Sequence, residues 1–244
     1  MWSVGSEPVH IYLGTRRVMV SGATGLQSQA VNGLAEAFEV MRAQLQGLGK
    51  RSRPRLWLSG GLCRPFILDA LPGLVSGDEI HRVAAATAAQ RTGLQAPCRL
   101  WIEPRPVASD RVVVAMNEQV YNQLHDSLRE AGHAALSVRP WWAELLRDAA
   151  AKATAAATSL AVQDCDSVTL LLGAGAEVTM AATYAPVADD SSARAIVARA
   201  VVSSGLADGQ VHYLRLVSSP QLADRESAAM AGATAPTRWA EAVA

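Results

Sequence analysis

The segment VSGATG, residues 20–25, has the composition of a loop that binds phosphate. Dinucleotide-binding loops need three glycines, which allow a tight turn, close approach to the pyrophosphate and close packing of the following helix. Gly22 and Gly25 supply two of them, but Ser28 occupies the third position. The strand expected next, Arg55–Leu58, ends in a serine and two glycines, where an acidic residue for the ribose would stand. The segment therefore offers only part of the chemistry that a dinucleotide requires.

Two further glycine turns each lie between apolar segments. The first reads YLGT and ends in Gly14 and Thr15, and the second reads LGAG and contains Gly173 and Gly175. Backbone N–H groups of such turns can hold a phosphate. The two turns resemble the Asp-x-Gly-Thr/Ser turns of actin-like ATPases, in which the aspartate works through metal-bound water. A tyrosine and a leucine stand at those two positions. We interpret all four residues as parts of degenerate phosphate turns, and the sequence predicts neither a cofactor nor a metal.

The VSGATG segment also resembles the opening of short-chain dehydrogenases. That resemblance implies an NAD(P)- or nucleotide-binding enzyme as the alternative function. The catalytic Tyr-x-x-x-Lys of that family is missing, because Tyr121 is followed by His125 at the lysine position. A predicted strand and turn precede Arg16, so this loop would not open the fold.

The other polar residues suggest no catalytic site. The five histidines show no metal-ligand spacing. Asp164 and Asp166 fall in a predicted turn, where aspartate is common because it bonds to its own backbone. The Ser-Gly-Gly at residues 59–61 lacks the first glycine of a nucleophile elbow. We therefore expect no acid–base pair and no enzyme activity.

The composition favours a soluble cytoplasmic protein with a large core. The chain has 244 residues, half of them hydrophobic, and 22 basic residues balance 22 acidic ones, so no net charge attracts nucleic acid or anionic lipid. Cys63, Cys98 and Cys165 are widely spaced and form no CxxC pair, which argues against disulfides and thiolate zinc. The start of the chain does not read as a signal peptide, and no apolar segment approaches the roughly 20 residues of a membrane helix.

The periodicity predicts strands and helices that alternate. Apolar runs at Val9–Leu13 and Arg17–Ser21 predict a hairpin around the YLGT turn. Apolar residues at helical spacing predict helices over residues 34–48, 78–92, 117–131 and 191–204. Further strands are predicted at Arg55–Leu58, Arg99–Ile102, Arg111–Met116, Ala135–Val138, Ser159–Val162, Ser167–Leu172, Glu177–Thr183 and Val211–Leu216. The fold class is therefore α/β.

The order of elements occurs twice along the chain. Each half begins with a glycine-turned hairpin and continues with a helix and a strand, and an alanine-rich stretch at residues 148–158 separates the halves. The sequence predicts two lobes, residues 1–146 and residues 147–244, with a partly disordered tail after Pro220.

Four patterns together resemble one family. They are the strand–YLGT–strand hairpin, its repeat LLLGAGAEVTM in the second half, the strand RVVVAM with a helix that ends in Ala131-Gly132, and the segment LSVRPWWAELL. They resemble the actin-like scaffold proteins of type IV pilus and type II secretion assembly platforms, namely PilM-like proteins and the cytoplasmic domain of the type II secretion L protein. The resemblance covers about residues 8–217. It implies a two-lobed actin-like (ribonuclease-H-like) fold, reduced in size.

The same resemblance implies a function. Without carboxylates in its two turns the chain would be a pseudo-ATPase, a non-catalytic cytoplasmic scaffold at the inner face of the membrane. Its implied partners are a membrane-anchored platform protein and, as a further candidate, a motor ATPase. The oligomeric state is open, with a dimer among the options.

Five residues are candidates for partner contacts. Adjacent tryptophans on a helix diverge by about 100°, so Trp141 and Trp142 are not expected to face the same core. Tryptophan and arginine are enriched at binding hot spots, which adds Arg139 and a second cluster, Arg64 and Phe66. Packing of both tryptophans between the lobes is the alternative.

Overall fold

The computed structural model describes residues 9–22, 25–48, 54–70, 73, 76–135, 137–143, 145, 159–174, 177–205, 211–216 and 240–243. The strands are β1 (His10–Leu13), β2 (Arg17–Gly22), β3 (Gly25–Ala30), β4 (Arg55–Leu58), β5 (Arg64–Leu68), β6 (Cys98–Ile102), β7 (Arg111–Asn117), β8 (Ser137–Pro140), β9 (Ser159–Gln163), β10 (Val168–Ala174), β11 (Glu177–Tyr184), β12 (Val211–Leu216) and β13 (Ala240–Val243). The helices are α1 (Leu34–Gln46), α2 (Gly77–Thr92), α3 (Glu118–Glu130) and α4 (Asp190–Ser204).

Local sequence signals set the ends of the helices. Ser76 and Glu79 form a reciprocal capping box at the start of α2, and Gly93 ends that helix in the left-handed conformation with φ +68°. Asn117 caps α3 through its side chain, and Asp189 caps α4. The helices predicted from periodicity are confirmed with their ends shifted by a few residues.

The first lobe contains a five-stranded sheet in the order β3-β2-β1-β4-β8. Strand β1 is antiparallel to β2 and parallel to β4, so the predicted hairpin is confirmed. One face of the sheet, including Ile11 and Leu56, packs on Phe38 and Met41 of α1. Full burial of such side chains contributes about 1.5–3 kcal/mol each. The sheet is therefore anchored on its helical side by an apolar core.

The second lobe repeats this topology. Its sheet has the order β11-β10-β9-β12-β13, with β9 antiparallel to β10 and parallel to β12. Strands β9, β10, β11 and β12 thus correspond to β1, β2, β3 and β4, with α4 in the place of α1. Among the described helices, none combines the length and the apolar character required to cross a bilayer.

A shared apolar core joins the two lobes. The second face of the first sheet carries Tyr12, Met19 and Trp57, and these side chains pack with Leu160 and Leu171 of the second lobe. Helical residues 141–143 add Trp141 and Trp142 to the same core. The lobes are therefore in direct apolar contact.

A small sheet is inserted between β4 and β8. It has the order β5-β7-β6, with β7 antiparallel to both neighbours. Helix α2 covers one face, where Ile80, Ala84 and Ala88 contact Phe66 and Leu100. Strand β5 is not among the strands predicted from the sequence, and it contains Pro65. Strand β5 lies at the edge of its sheet, where a proline is tolerated.

The structure corrects the interpretation of VSGATG. Gly22 and Gly25 pair with each other at the end of the β2–β3 hairpin, and residues 23–24 lie outside the described part. Strand β3 follows, and α1 begins only at Leu34. A dinucleotide loop leads directly from a strand into a helix. This turn is therefore a hairpin corner, and the dehydrogenase interpretation loses its structural basis.

Two predictions about chain organisation fall mainly outside the described residues. These are the boundary between residues 146 and 147 and the tail after Pro220. The described end of that tail, Ala240–Val243, forms β13 and pairs antiparallel with β12. This last strand is not among the strands predicted from the sequence.

Candidate functional site

Three turns from the two lobes meet at one place. Residues 14–16 follow β1, residues 59–63 follow β4, and residues 164–167 follow β9. Since β1 and β4 are parallel neighbours, their carboxyl ends lie at the same edge of the sheet, which is where open α/β sheets form sites. Hydrogen bonds join the third turn to the other two. We call these segments the interlobe turns.

Asp166 accepts hydrogen bonds from donors of the first lobe. The backbone N–H and the hydroxyl of Thr15 donate to its Oδ2 over 2.6 and 2.7 Å, and the hydroxyl of Ser59 donates over 3.2 Å. A backbone N–H together with hydroxyls is the donor set that holds a phosphate oxygen in such turns. Asp166 is 1% exposed. A carboxylate of the second lobe thus occupies the anion position of the first-lobe turn.

Asp164 makes the second contact between the lobes. Its Oδ2 accepts the backbone N–H of Gly60 over 2.6 Å and the hydroxyl of Ser167 over 3.3 Å. Burial, and then the negative charge of Asp166, raise the pKa of Asp164 to about 8, although both hydrogen bonds act in the opposite direction. The Oδ1 atoms of Asp164 and Asp166 are buried and make no hydrogen bond within the described residues.

Glycines allow the turns to approach closely. A Cβ atom on Gly60 would lie against the Thr169 hydroxyl, and one on Gly14 would lie 2.7 Å from Cys165 Sγ. A Cβ atom on Gly61 would lie 3.1 Å from Oδ1 of Asp166. Contacts shorter than 3.0 Å cannot be kept without a shift of the backbone or of the neighbour. The lobes are therefore closed against each other at these turns.

Tyr12 stands where a phosphate turn would carry its acid, as the sequence indicates. It is fully buried, and its hydroxyl lies 3.3 Å from Cys165 Sγ. Burial is the main cause that raises the pKa of Tyr12 well above its usual value, followed by the charge of Asp164. Burial likewise raises the pKa of the Cys165 thiol. Both groups stay protonated at neutral pH and contribute packing and weak hydrogen bonding.

The structure corrects the position of the second-lobe turn. Gly173 lies within β10, and its backbone N–H donates to Ser159 Oγ over 3.2 Å, while Gly175 lies outside the described residues. The turn after β10 is at the opposite end of the strand from residues 164–167, and it corresponds to the VSGATG corner. The counterpart of the YLGT turn is instead Asp164-Cys165-Asp166-Ser167, so the prediction that the second turn lacks a carboxylate is wrong.

A signal for this turn exists in the sequence. Residues 164–167, DCDS, come directly after the buried strand Ser159–Gln163, just as GT follows HIYL in the first lobe. Counting from the start of each predicted hairpin would have aligned the two turns. The richer glycine content of LGAG favoured the wrong end of β10.

Three of the predicted partner contacts are interior residues. Trp141 and Trp142 are 0% and 2% exposed, and Phe66 is 2% exposed. Trp142 Nε1 donates to the Cys63 carbonyl over 2.9 Å, and Trp141 packs edge-on against Trp57 with ring centroids 5.9 Å apart. Both tryptophans are covered because their segment lies between the two lobes, so packing between the lobes, the alternative interpretation, is what the structure contains.

The two predicted arginine contacts differ from each other. Arg139 is exposed on β8. Arg64 is half-buried and donates to the carbonyls of Gly61 and Thr92 over 3.2 and 2.7 Å. Burial lowers the pKa of Arg64, and the charge of Asp166 counteracts that effect. Arg64 therefore ties β5 to the end of α2 and lies in the field of Asp166.

An exposed aromatic group that the sequence analysis does not single out lies between β6 and α3. Trp101 is 43% exposed, and its ring meets Tyr121 edge-on with centroids 5.9 Å apart. The guanidinium of Arg99 lies 5.2 Å from the Tyr121 ring centre, and the His125 ring lies against Tyr121 with centroids 4.4 Å apart. We call these four residues the β6–α3 surface. The sequence pattern that could have predicted this surface is the alternation of Arg99 and Trp101 along the strand RLWI.

These features define an actin-like fold: two lobes of repeated topology that meet through the turns after their first strands. No protein-family model matches the sequence, and no curated protein matches it either. Solved structures do match. A Bacteroides thetaiotaomicron protein with an actin-like ATPase fold and unknown function superposes with a TM-score of 0.52 at 8% identity, over 91% of this chain and 86% of that one.

Two other similar structures belong to assembly machinery. The cytoplasmic domain of EpsL, an inner membrane component of the Vibrio cholerae type II secretion system, gives a TM-score of 0.50 at 12% identity over 86% of this chain and 82% of that one. The PilM–PilN type IV pilus biogenesis complex gives 0.51 at 15% identity over 82% of this chain and 66% of that one. The resemblance inferred from the sequence is thus confirmed for the fold.

The fold implies a magnesium nucleotide between the lobes, and the interlobe turns do not fit one in this arrangement. The donors of Thr15 and Gly60 are already bonded to Asp166 and Asp164. A phosphate placed there would also meet the negative charge of Asp166. Within the described ranges, no group of three His, Cys, Asp or Glu side chains could hold a metal ion.

Proposed function

We propose that the chain is a non-catalytic scaffold of a type IV pilus or type II secretion-like assembly platform. The observation that carries the proposal is the capture of the Thr15 donors by Asp166. A working phosphate turn keeps those donors free for its ligand. In this chain the second lobe supplies the anion itself. The similar folds of the EpsL cytoplasmic domain and of PilM support the choice of machinery.

Isothermal calorimetry with ATP and with NADPH, each with and without Mg²⁺, tests whether the chain binds a nucleotide. We expect no saturable binding tighter than about 1 mM, which corresponds to about −4 kcal/mol. The reason is that a nucleotide must first displace the buried side chains of Asp164 and Asp166 from their donors. Binding in the micromolar range by the wild-type chain would contradict the proposal.

The matched variant for this titration is Asp166→Gly. It removes the carboxylate that occupies the first-lobe turn, and it converts the Asp-Cys-Asp-Ser sequence of residues 164–167 into an Asp-x-Gly-Ser pattern. Ser59→Ala removes one hydroxyl donor and keeps the carboxylate, so it serves as the control. A wild-type chain that binds no nucleotide beside an Asp166→Gly variant that does would identify the internal carboxylate as the cause.

A scaffold needs a surface for its partners, and the β6–α3 surface fits that role. Trp, Tyr and Arg are the residue types that dominate binding hot spots. Arg99 forms no ion pair within the described part of the chain, so an acidic partner group can reach it. The partner proposed here is a cytoplasmic segment of a membrane-anchored platform protein, with a motor ATPase as a second component.

Substitution of Trp101 by alanine tests this surface. We expect affinity for the platform partner to fall about 10- to 100-fold, or about 1.4–2.7 kcal/mol, because an exposed aromatic anchor is lost. Biolayer interferometry against the cytoplasmic segments of the platform's membrane proteins measures the change. Tyr184→Ala is the control, since Tyr184 is 41% exposed on the second lobe. Equal affinities for the two variants would reject the β6–α3 surface.

A further inference from the structure

Strand β3 is an unusually open sheet edge. Natural proteins protect edge strands with charges, prolines or bulges. The residues of β3, GLQSQA, include neither a charge nor a proline, and residues 27–30 are exposed. By contrast, the edge strand β8 carries Arg139 and Pro140, and β6 carries Arg99. Compared with these described edge strands, β3 lacks the usual protection against pairing with another chain.

The backbone register shows which groups of β3 are available. Val31 N–H donates to the Arg16 carbonyl over 2.9 Å, and this pair continues the β2–β3 register. Bonding to β2 alternates along an antiparallel strand, so Leu26, Ser28 and Ala30 direct their N–H and C=O groups away from β2. No hydrogen bond from the described residues reaches these groups. Among the described residues, this row of three donors and three acceptors has no partner.

This row is complementary to itself. When two copies of β3 lie antiparallel with the two-fold axis at Ser28, Ser28 faces Ser28 of the second copy and Leu26 faces Ala30 in both directions. Each facing pair can exchange two N–H···O bonds. A two-fold axis of this kind closes the assembly at two chains. The five-stranded sheet of each first lobe would become half of a ten-stranded sheet.

We propose that the chain forms a two-fold dimer in which β3 pairs with β3 of a second copy. Uncharged side chains along the strand avoid like-charge pairs across the axis. Arg17 is the basic residue that reaches β3, where its Nη1 donates to Ser28 Oγ over 3.1 Å. Two copies of Arg17 approach each other in the dimer, so salt strengthens the association by screening them.

Sedimentation equilibrium of the purified chain tests the proposal. We expect a dissociation constant between about 1 and 100 μM, as for small and transient interfaces. This dissociation constant should decrease when salt is added. Ser28→Lys places a charge on the axis and is expected to weaken the dimer at least tenfold. Ser28→Pro removes the outward N–H and leaves the β2–β3 ladder intact, with the same expected result.

Val202→Lys is the control, since Val202 is 80% exposed on α4 of the second lobe and the same charge is added there. It should dimerise like the wild type. Circular dichroism melts identify any variant that fails to fold, and Ser28→Lys and Ser28→Pro each test the axis independently. A wild-type chain that stays monomeric at about 100 μM, or a dimer that both Ser28 variants leave unchanged, would overturn the proposal. The test uses no platform partner, so its failure leaves the proposed function open.

Discussion

Replacement of Gly60 by alanine is expected to lower the free energy of unfolding by about 2–4 kcal/mol. The added Cβ would lie against the Thr169 hydroxyl, 3.0 Å from Ser167 Oγ and 3.2 Å from Asp164 Oδ2. The Thr169 hydroxyl is itself held by that of Thr183 at 2.9 Å. Either the turn shifts and loses its hydrogen bond to Asp164, or the lobes separate locally. Chemical denaturation of both proteins measures the difference.

Gly77→Ala provides the matched control for this substitution. A Cβ on Gly77 would meet nothing within 4 Å, and Gly77 is exposed in the first turn of α2. Alanine has the higher helix propensity, so the control should be neutral or more stable by up to about 1 kcal/mol. If Gly60→Ala proved as stable as Gly77→Ala, the close approach of the lobes at the interlobe turns would be disproved.

The elements that the sequence predicts correctly are those whose structure is determined by a single local preference of the chain. The stripe of Phe38, Met41 and Leu45 has helical spacing and a single buried side, and α1 forms where it predicts. The apolar runs HIYL and RVMV flank a tight turn, in which Gly14 N–H donates to the Arg17 carbonyl over 2.9 Å. In such segments the local preference and the tertiary environment agree.

The elements that sequence reasoning missed depend on neighbours distant in the chain. Strand β3 is polar and exposed, so its residues show no apolar alternation, and its place in the sheet comes from pairing with β2. Trp141 and Trp142 are adjacent in a helical segment, where successive side chains diverge by about 100°, so the sequence predicts that they do not share a core. Both are nevertheless buried, because two lobes enclose their segment. The burial of both tryptophans follows from the arrangement of the two lobes, and the local sequence pattern carries no information about that arrangement.

The candidate site shows the same dependence. Asp164 and Asp166 have the composition of an ordinary turn, and local bonding explains aspartates there in most proteins. Their partners Gly60 and Thr15 lie 104 and 151 residues away in the chain. A buried carboxylate is tolerated when donors satisfy it, and these donors come from the opposite lobe. The apolar core around Trp57 then holds the lobes at the distance that these hydrogen bonds need.

The stability of the wild-type chain is expected to fall as the pH rises from about 4 to about 8. The pKa of Asp164 is raised from 3.8 to about 8 in the folded chain, so the native state binds more protons than the unfolded state within this window. The free energy of unfolding therefore decreases with pH, by up to about 1.4 kcal/mol per pH unit from this group. The burial of Asp164 and the repulsion from Asp166 are the cause. Denaturation curves at a series of pH values measure the slope.

Asp164→Asn removes this titration and keeps an amide oxygen that can accept the Gly60 N–H. The pH slope of the variant should therefore be shallower than that of the wild type, and its stability should exceed that of the wild type near pH 8. Asp166→Asn should narrow the pH range over which the stability falls, because the like charge that helps to raise the pKa of Asp164 is removed. Asp69→Asn, which alters an exposed carboxylate paired with Arg91, should keep the wild-type slope. A wild-type slope in Asp164→Asn would show that this carboxylate does not hold a proton between the lobes, and that the closed turns tolerate its charge.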